Sequence, residues 1–179
     1  MSRHQPTRII ELCSLRAITF ADLSAVRELQ ARAFTKLIAP SLPSDLADRY
    51  EQFLLTRPLG DLLEENSASF IGVWIDRTLV ATARWEPGPG ANLTARIGDV
   101  YVDAMFVRMG IGSMVLASVE NIAARAGYAE FSVNPANASV PFFKKASYKI
   151  TARGTHAVTQ GLEMPVVYLR KDAVPRALH

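Results

Sequence analysis

Gly110 and Gly112 stand two apart in VYVDAMFVRMGIGSMVLASVE, residues 100–120, where a strand-like run breaks and a helix-like run follows at once. The first N–H groups of a helix have no partner within it, and with the helix dipole they favour an anion. Glycines at such a turn let the backbone approach a bulky phosphate with no Cβ in the way. The seam is therefore suited to holding a pyrophosphate. Two nearby glycines also serve ordinary turn geometry, so the pair alone leaves both roles open.

Other chemistries fit poorly. No GxxxxGK[ST] occurs, so a P-loop lacks its lysine and its magnesium-binding hydroxyl. The dinucleotide fingerprint needs a third glycine where Val115 stands, and it opens its βαβ unit rather than following four strand-like runs. Three histidines, widely separated and without acidic or cysteine partners at ligand spacing, give no metal site. Cys13 is the single cysteine, which excludes an internal disulfide framework and fits a reducing cytoplasm. Its own role is that of a half-buried strand residue or of a nucleophile.

The elements around the seam follow from periodicity. Residues 9–18 (IIELCSLRAI) read as a strand, and ADLSAVRELQARAF as a helix with apolar residues at 23, 26, 29 and 33, capped by Asp22. Ser44 or Asp45 caps a second helix with Leu46, Tyr50, Phe53 and Leu54 on one face, limited by Pro58. Residues 59–66 form one more short helical turn. SFIGVWI and TLVATARWE are strands joined by a tight hairpin at Asp76-Arg77, PGPG at 87–90 forces a loop, and TARIGDVYV is the next strand. A helix over 111–126 buries Ile111, Val115, Val119, Ile122 and Ala126 and stops at Gly127. EFSVN is a short strand, NASVPFFKKA a short helix, and SYKITARGTH and EMPVVYLRK close the chain as strands. This order predicts one α/β domain over residues 1–179, a mixed sheet covered by helices.

Composition narrows the function class. Of 179 residues 49% are hydrophobic, enough for a core of substantial size. No apolar run reaches the length of a membrane span, and the N-terminus lacks the apolar stretch and cleavage site of a secretory signal. No membrane partner and a cytoplasmic location are therefore expected. Residues 1–103 carry 11 basic and 13 acidic side chains, residues 104–179 carry 9 and 4. That second-part surplus suits a phosphate-bearing ligand or a plain solvated face. No dense basic run with interleaved aromatics occurs, so no nucleic acid is expected.

VYVDAMFVRMGIGSMVLASVE, followed by AARAGYAEFSVNPANASVPFFKKASY, closely resembles the GNAT superfamily of acyl-CoA N-acyltransferases. The family pattern is a strand, a loop reading Gln/Arg-x-x-Gly-x-Gly/Ala, and a long helix. That loop falls here on Val107, Arg108, Met109, Gly110, Ile111 and Gly112. A further strand and a short helix with Asn, Ala and a Phe-Tyr pair correspond to residues 134–148. LRAITFADLSAVRELQARAF resembles the family's first strand and helix, so the likeness covers about residues 12–171 and is strongest over 97–148.

The resemblance implies a mostly antiparallel sheet splayed between its fourth and fifth strands, with helices on both faces. It implies acetyl-CoA as co-substrate and an amine acceptor, a small molecule or a peptide. The pyrophosphate would sit on backbone N–H groups of residues 107–113, Ser113 included, and the pantetheine arm in the splay between residues 97–103 and 130–134. The Val102 N–H would polarise the thioester carbonyl, with Asn134, Asn137 and Phe143 at the cofactor; Asn137 would serve equally as an N-cap. Candidate bases for the acceptor ammonium are Asp99, then Glu86. A salt-bridged strand-edge carboxylate is the plainer role for Asp99, and the start of the PGPG loop for Glu86. His156 stands on a late strand. A homodimer is common in the family.

Two positions depart from the pattern. Val107 replaces the Gln/Arg that opens the loop, and Phe143 stands where the family's tyrosine commonly protonates the departing thiolate. Phenylalanine has no proton to donate. Tyr148, Ser139 and Ser132 are nearby hydroxyls, and Ser147 stands where the family has glycine. A non-catalytic acyl-CoA-binding module on the same fold is the alternative that these departures support. Tyr50, Phe53, Trp74 and Trp85 either wall the acceptor pocket or belong to the core.

Overall fold

The computed structural model describes residues 7–66, 69–89 and 93–173. A helical turn, α1 (Thr7–Ile10), precedes β1 (Cys13–Ala17), so the strand expected over 9–18 begins later. The Leu12 N–H donates back to the Ile9 carbonyl, a closed turn that ends the helical piece before the chain extends. α2 (Leu23–Leu37), α3 (Ser44–Thr56) and α4 (Leu59–Asn66) follow. Asp22 turns its carboxylate back to the Thr19 N–H and to Arg16, and no side-chain bond caps α2. Pro43, one residue before the expected cap, is the N-cap of α3.

β2 (Phe70–Ile75) and β3 (Thr78–Pro87) form the hairpin expected at Asp76-Arg77, with Asp76 at φ +53. β3 takes in Pro87, and the Gly88 N–H donates to the Thr94 carbonyl; Gly90 of the PGPG run lies outside the described residues. β4 (Thr94–Val102), α5 (Ile111–Arg125), β5 (Glu130–Val133), α6 (Val140–Lys145), β6 (Lys149–Thr159) and β7 (Leu162–Asp172) complete the chain.

The seven strands form one sheet in the order β1-β2-β3-β4-β5-β7-β6. Every neighbouring pair is antiparallel except β4 with β5. Alternation along β2 sorts the core into two layers. Ile71 and Val73 pack with Ile111, Val115, Leu116 and Val119 of α5, whereas Phe70 and Trp74 pack with Val26 and Leu29 of α2 and Leu59 and Leu63 of α4. A third cluster joins Phe34 of α2 and Leu54 of α3 to Met164 and Val166 of β7. Helices thus cover both faces, as expected.

Candidate active site

β4 and β5 pair only at Thr94–Glu130, Ala95–Phe131 and Arg96–Ser132. β4 runs on to Val102 while Val133 pairs with Leu169 of β7, so the two strands part and leave a V-shaped opening. The Asp103 N–H donates to the Val80 carbonyl, 2.9 Å, on the β3 side. Strand alternation turns the preceding Val102 N–H the other way, into the opening.

The start of α5 adjoins this edge: a Cβ on Gly112 would stand 3.4 Å from Val102 Cγ2. The first intrahelical bond runs from the Met114 N–H to the Gly110 carbonyl, 3.0 Å. The N–H groups of Ile111, Gly112 and Ser113 come before it and have no acceptor within the helix. Val107, Arg108 and Met109 form the turn that leads in, with Arg108 at φ +63 and Gly110 at φ +87, both left-handed. A Cβ at Gly110 would lie 2.8 Å from Ile10 Cδ1, and one at Gly112 lies 3.1 Å from Phe142 Cε2. Protein side chains fill the space the glycines vacate. Their smallness therefore serves the turn and its packing, and the feature suited to an anion is the row of backbone donors.

A cavity of about 230 Å³ opens on the α2–α3 side of the split. Its floor is a zigzag of charge. Arg57 holds Asp99 Oδ1, Arg84 Nε reaches Asp99 Oδ2 at 2.8 Å, Arg84 Nη1 reaches Glu86 Oε2 at 2.6 Å, and Arg96 Nη1 reaches Glu86 Oε1 at 3.3 Å. The register explains the row. Glu86 pairs with Arg96 and Arg84 with Gly98, which sets all four on one face of the β3–β4 ribbon. The four residues of β4 from Gly98 to Tyr101 then face three of β3, Thr82 to Arg84, a bulge with Asp99 at φ +53 that brings the Asp99 side chain onto the same floor.

Asp99 and Glu86 differ sharply. The Asp99 side chain is 6% exposed and Glu86 33%. Burial alone would raise the Asp99 carboxyl, but Arg57 and Arg84 outweigh it and hold the group below the usual carboxylate range. Both Asp99 oxygens are engaged by guanidiniums, so it is a weak proton acceptor; the salt-bridged role is the one its surroundings favour. A buried web supports it. Gln30 Nε2 donates to Thr82 Oγ1 at 3.2 Å, Thr82 Oγ1 to the Asp99 carbonyl at 2.8 Å, and Arg57 also donates to Gln30 Oε1.

Among the other expected residues, Asn134, Phe143, Ser139 and His156 line the cavity. Phe143 is 5% exposed, its ring 5.6 Å from Tyr148. Asn137 opens a short 3-10 turn whose N-cap is Ala136, and its Oδ1 accepts from Arg153, so the N-cap role is corrected. Tyr148 donates to buried Glu120, whereas Ser132 sits in the sheet between Arg96 and Arg170. Ser147 has φ +73, the backbone form a glycine adopts freely, which gives a physical reason for glycine at this place in the family pattern. Of the aromatic candidates Tyr50 lines the cavity, Phe53 packs beside it at 5.6 Å, and Trp74 and Trp85 are core. The Cys13 thiol is part-buried and donates to the Ile9 carbonyl.

Sequence reading missed Arg57, Arg84, Arg96 and Tyr101, all of which line the cavity. The Tyr101 and Tyr50 hydroxyls lie 3.5 Å apart, and burial pushes both up, so they remain protonated donors. A signal for Arg84, Glu86 and Arg96 existed: period-two spacing across a hairpin. Arg57 carried none, because only tertiary contact brings the end of α3 to the bulge. Among the described residues no group of three or more His, Cys, Asp or Glu could hold a metal ion, and no helix is long and apolar enough to cross a membrane.

No curated protein matches the sequence. Solved structures do match in fold. The PaiA N-acetyltransferase of Thermoplasma acidophilum, in complex with coenzyme A, has a TM-score of 0.71 at 15% identity, covering 89% of this chain and 98% of that one. A GCN5-related N-acetyltransferase from Rhodopseudomonas palustris gives 0.73 at 16%, covering 89% and 94%. The ribosomal-protein-S18-alanine N-acetyltransferase of Escherichia coli gives 0.63 at 12%, covering 93% and 99%. At such identities the likeness speaks for the fold alone. The sequence pattern of the Acetyltransferase (GNAT) family, whose co-substrate is acetyl-CoA, matches residues 23–148. That stretch contains the parted strands, the outward Val102 N–H and the open helix end, and it spans most of the chain: the protein belongs to the GNAT acetyltransferase family.

Proposed function

We propose that the protein is an acetyl-CoA-dependent N-acetyltransferase that moves the acetyl group directly onto a primary amine. The observation that carries this is the split between β4 and β5 with the Val102 N–H turned into it. A thioester carbonyl bound there gains a fixed donor as its oxygen becomes anionic. In this reading the pantetheine arm adds to β4 like a strand, and the pyrophosphate meets the backbone donors of residues 107–113. Asn134 and Phe143 border the thioester end.

The atoms balance as follows. The ammonium first loses one proton to solvent through Glu86, which is 33% exposed and held on its outer oxygen by a contact of only 3.3 Å, rather than through buried Asp99, 6% exposed and tightly held on both oxygens. The free amine then forms the C–N bond as the C–S bond breaks. A second proton passes from nitrogen to the thiolate, carried by the Tyr101 hydroxyl, which shares the cavity with Phe143. Asp99 is here a positioning residue that fixes Arg57 and Arg84. A cytoplasmic setting belongs to the same reading, supported by the single cysteine.

Val107 and Phe143 favour a second reading, a non-catalytic acyl-CoA-binding module. Calorimetric titration with acetyl-CoA and with CoA, followed by turnover of amines, separates the two. One-to-one binding with turnover supports the enzyme, and Phe143→Tyr should then change kcat by less than about tenfold if Tyr101 already carries the proton. Binding without turnover in wild type and in Phe143→Tyr supports the module. Folded protein that binds neither ligand excludes both.

A further inference from the structure

The cavity floor carries more positive than negative charge, and the imbalance lies at its mouth. Arg57, Arg84 and Arg96 face only Asp99 and Glu86. The inner members are locked: Arg57 and Asp99 have side-chain exposures of 12% and 6%. The outer pair, Glu86 and Arg96, is 33% and 37% exposed and joined by a single contact of 3.3 Å, the longest in the row. Beside Arg96 on the same face is Gly98, where an added Cβ would meet nothing within 4 Å. A notch therefore separates Arg96 from Tyr101. The cavity is also lined by Phe34 of α2, Ile38 just after it, Tyr50 of α3, and Val158 and Met164 of the last strands.

Resting on the acetyltransferase reading above, we propose that the acceptor is a small zwitterion, an α-amino acid with an apolar or aromatic side chain. Its ammonium approaches Glu86, its carboxylate takes the free guanidinium face of Arg96, and its side chain packs on Ile38 and Tyr50, which are backed by buried Phe34. Each charge of the zwitterion then meets the opposite charge of the loosest pair in the row, so neither Glu86 nor Arg96 is left unpaired on binding. A polyamine brings two or more cations to a floor that already has an excess of them. A peptide N-terminus brings an amine with no carboxylate beside it and leaves Arg96 without an added partner.

The test compares turnover of phenylalanine and leucine with that of phenylalaninamide, leucinamide, spermidine and a tripeptide, with calorimetric CoA binding measured on the same protein. The expected result is a kcat/KM for the free amino acids at least about tenfold above their amides. In Arg96→Gln that ratio falls to about one while CoA affinity is unchanged; Arg96→Lys restores part of it. Intact CoA binding with amides, spermidine or the tripeptide preferred, or a ratio that Arg96→Gln does not move, overturns the zwitterion proposal and leaves the acetyltransferase reading standing. Loss of CoA binding in folded wild-type protein overturns both.

Discussion

The two ends of the cleft are built from different material. At the proposed coenzyme end the usable groups are backbone N–H donors, held by a left-handed turn at Gly110 and the opening of α5. At the proposed acceptor end they are side chains, five charges in a row from Arg57 at the end of α3 to Arg96, laid on the face of two strands. Backbone donors tolerate changes of side chain so long as the turn survives, so Val107 in the loop's opening place leaves the row of donors intact. A row of paired charges has no such tolerance. Each member is the partner of the next, and removing Asp99 strands Arg57 and Arg84 in a poorly solvated place.

The contrast predicts effects of different kinds. The largest is expected at the acceptor end. Glu86→Gln should lower kcat by about 10²–10⁴-fold, the range for loss of general base help, with CoA affinity unchanged by calorimetry. A kcat within twofold of wild type would remove Glu86 from the proton path and reopen the choice of base.

Asp99→Asn comes next, and it acts on stability. Leaving Arg57 and Arg84 without their anion should cost about 3 kcal/mol, read by chemical denaturation. The same group sets an acid limb. Its folded carboxyl lies below the ordinary value, so it contributes stability above the unfolded pKa of about 3.9 and loses it as pH falls through the lower, folded value. The stability gap between wild type and Asp99→Asn should therefore be full at pH 6 and narrow below about pH 4. A gap that stays constant down to pH 2 would show that the carboxylate's charge is not what Asn removes.

The smallest effect belongs to the coenzyme end. Gly110→Val must adopt φ near +87 and push against Ile10 Cδ1, 2.8 Å from its Cβ. Strain of about 1–3 kcal/mol should appear as a roughly tenfold or greater loss of CoA affinity with a modest fall in stability. Unchanged affinity would move the pyrophosphate away from this turn. The three variants together sharpen the comparison, because the property most affected differs in each: kcat for Glu86→Gln, stability for Asp99→Asn and CoA affinity for Gly110→Val.

The left-handed turn and open helix start of the proposed coenzyme end were legible in the sequence because they are local. Gly110, the helix behind it and the strand before it are consecutive, so spacing alone shows a turn that offers donors. The same holds for the hairpin at Asp76-Arg77, for β4 over residues 94–102 and for the stop at Gly127. The acceptor end was legible only in part. Asp99 and Glu86 stood out as carboxylates on central strands, but their environments did not. Whether a carboxylate accepts a proton depends on which cations share its space, and Arg57 is 42 residues away from Asp99 along the chain.

By itself the sequence determined the order of elements, the α/β class, the seam at Gly110 and the likeness to one family, since each rests on residues close together along the chain. The tertiary structure alone decided that Asp99 is locked between two guanidiniums and that Glu86 and Arg96 stand open at the mouth. It also decided that protein side chains occupy the space beside both glycines. The physical reason is that solvation and charge pairing are set by neighbours in space. A bulge of one residue in β4 and a helix end from α3 were enough to give two similar carboxylates opposite characters.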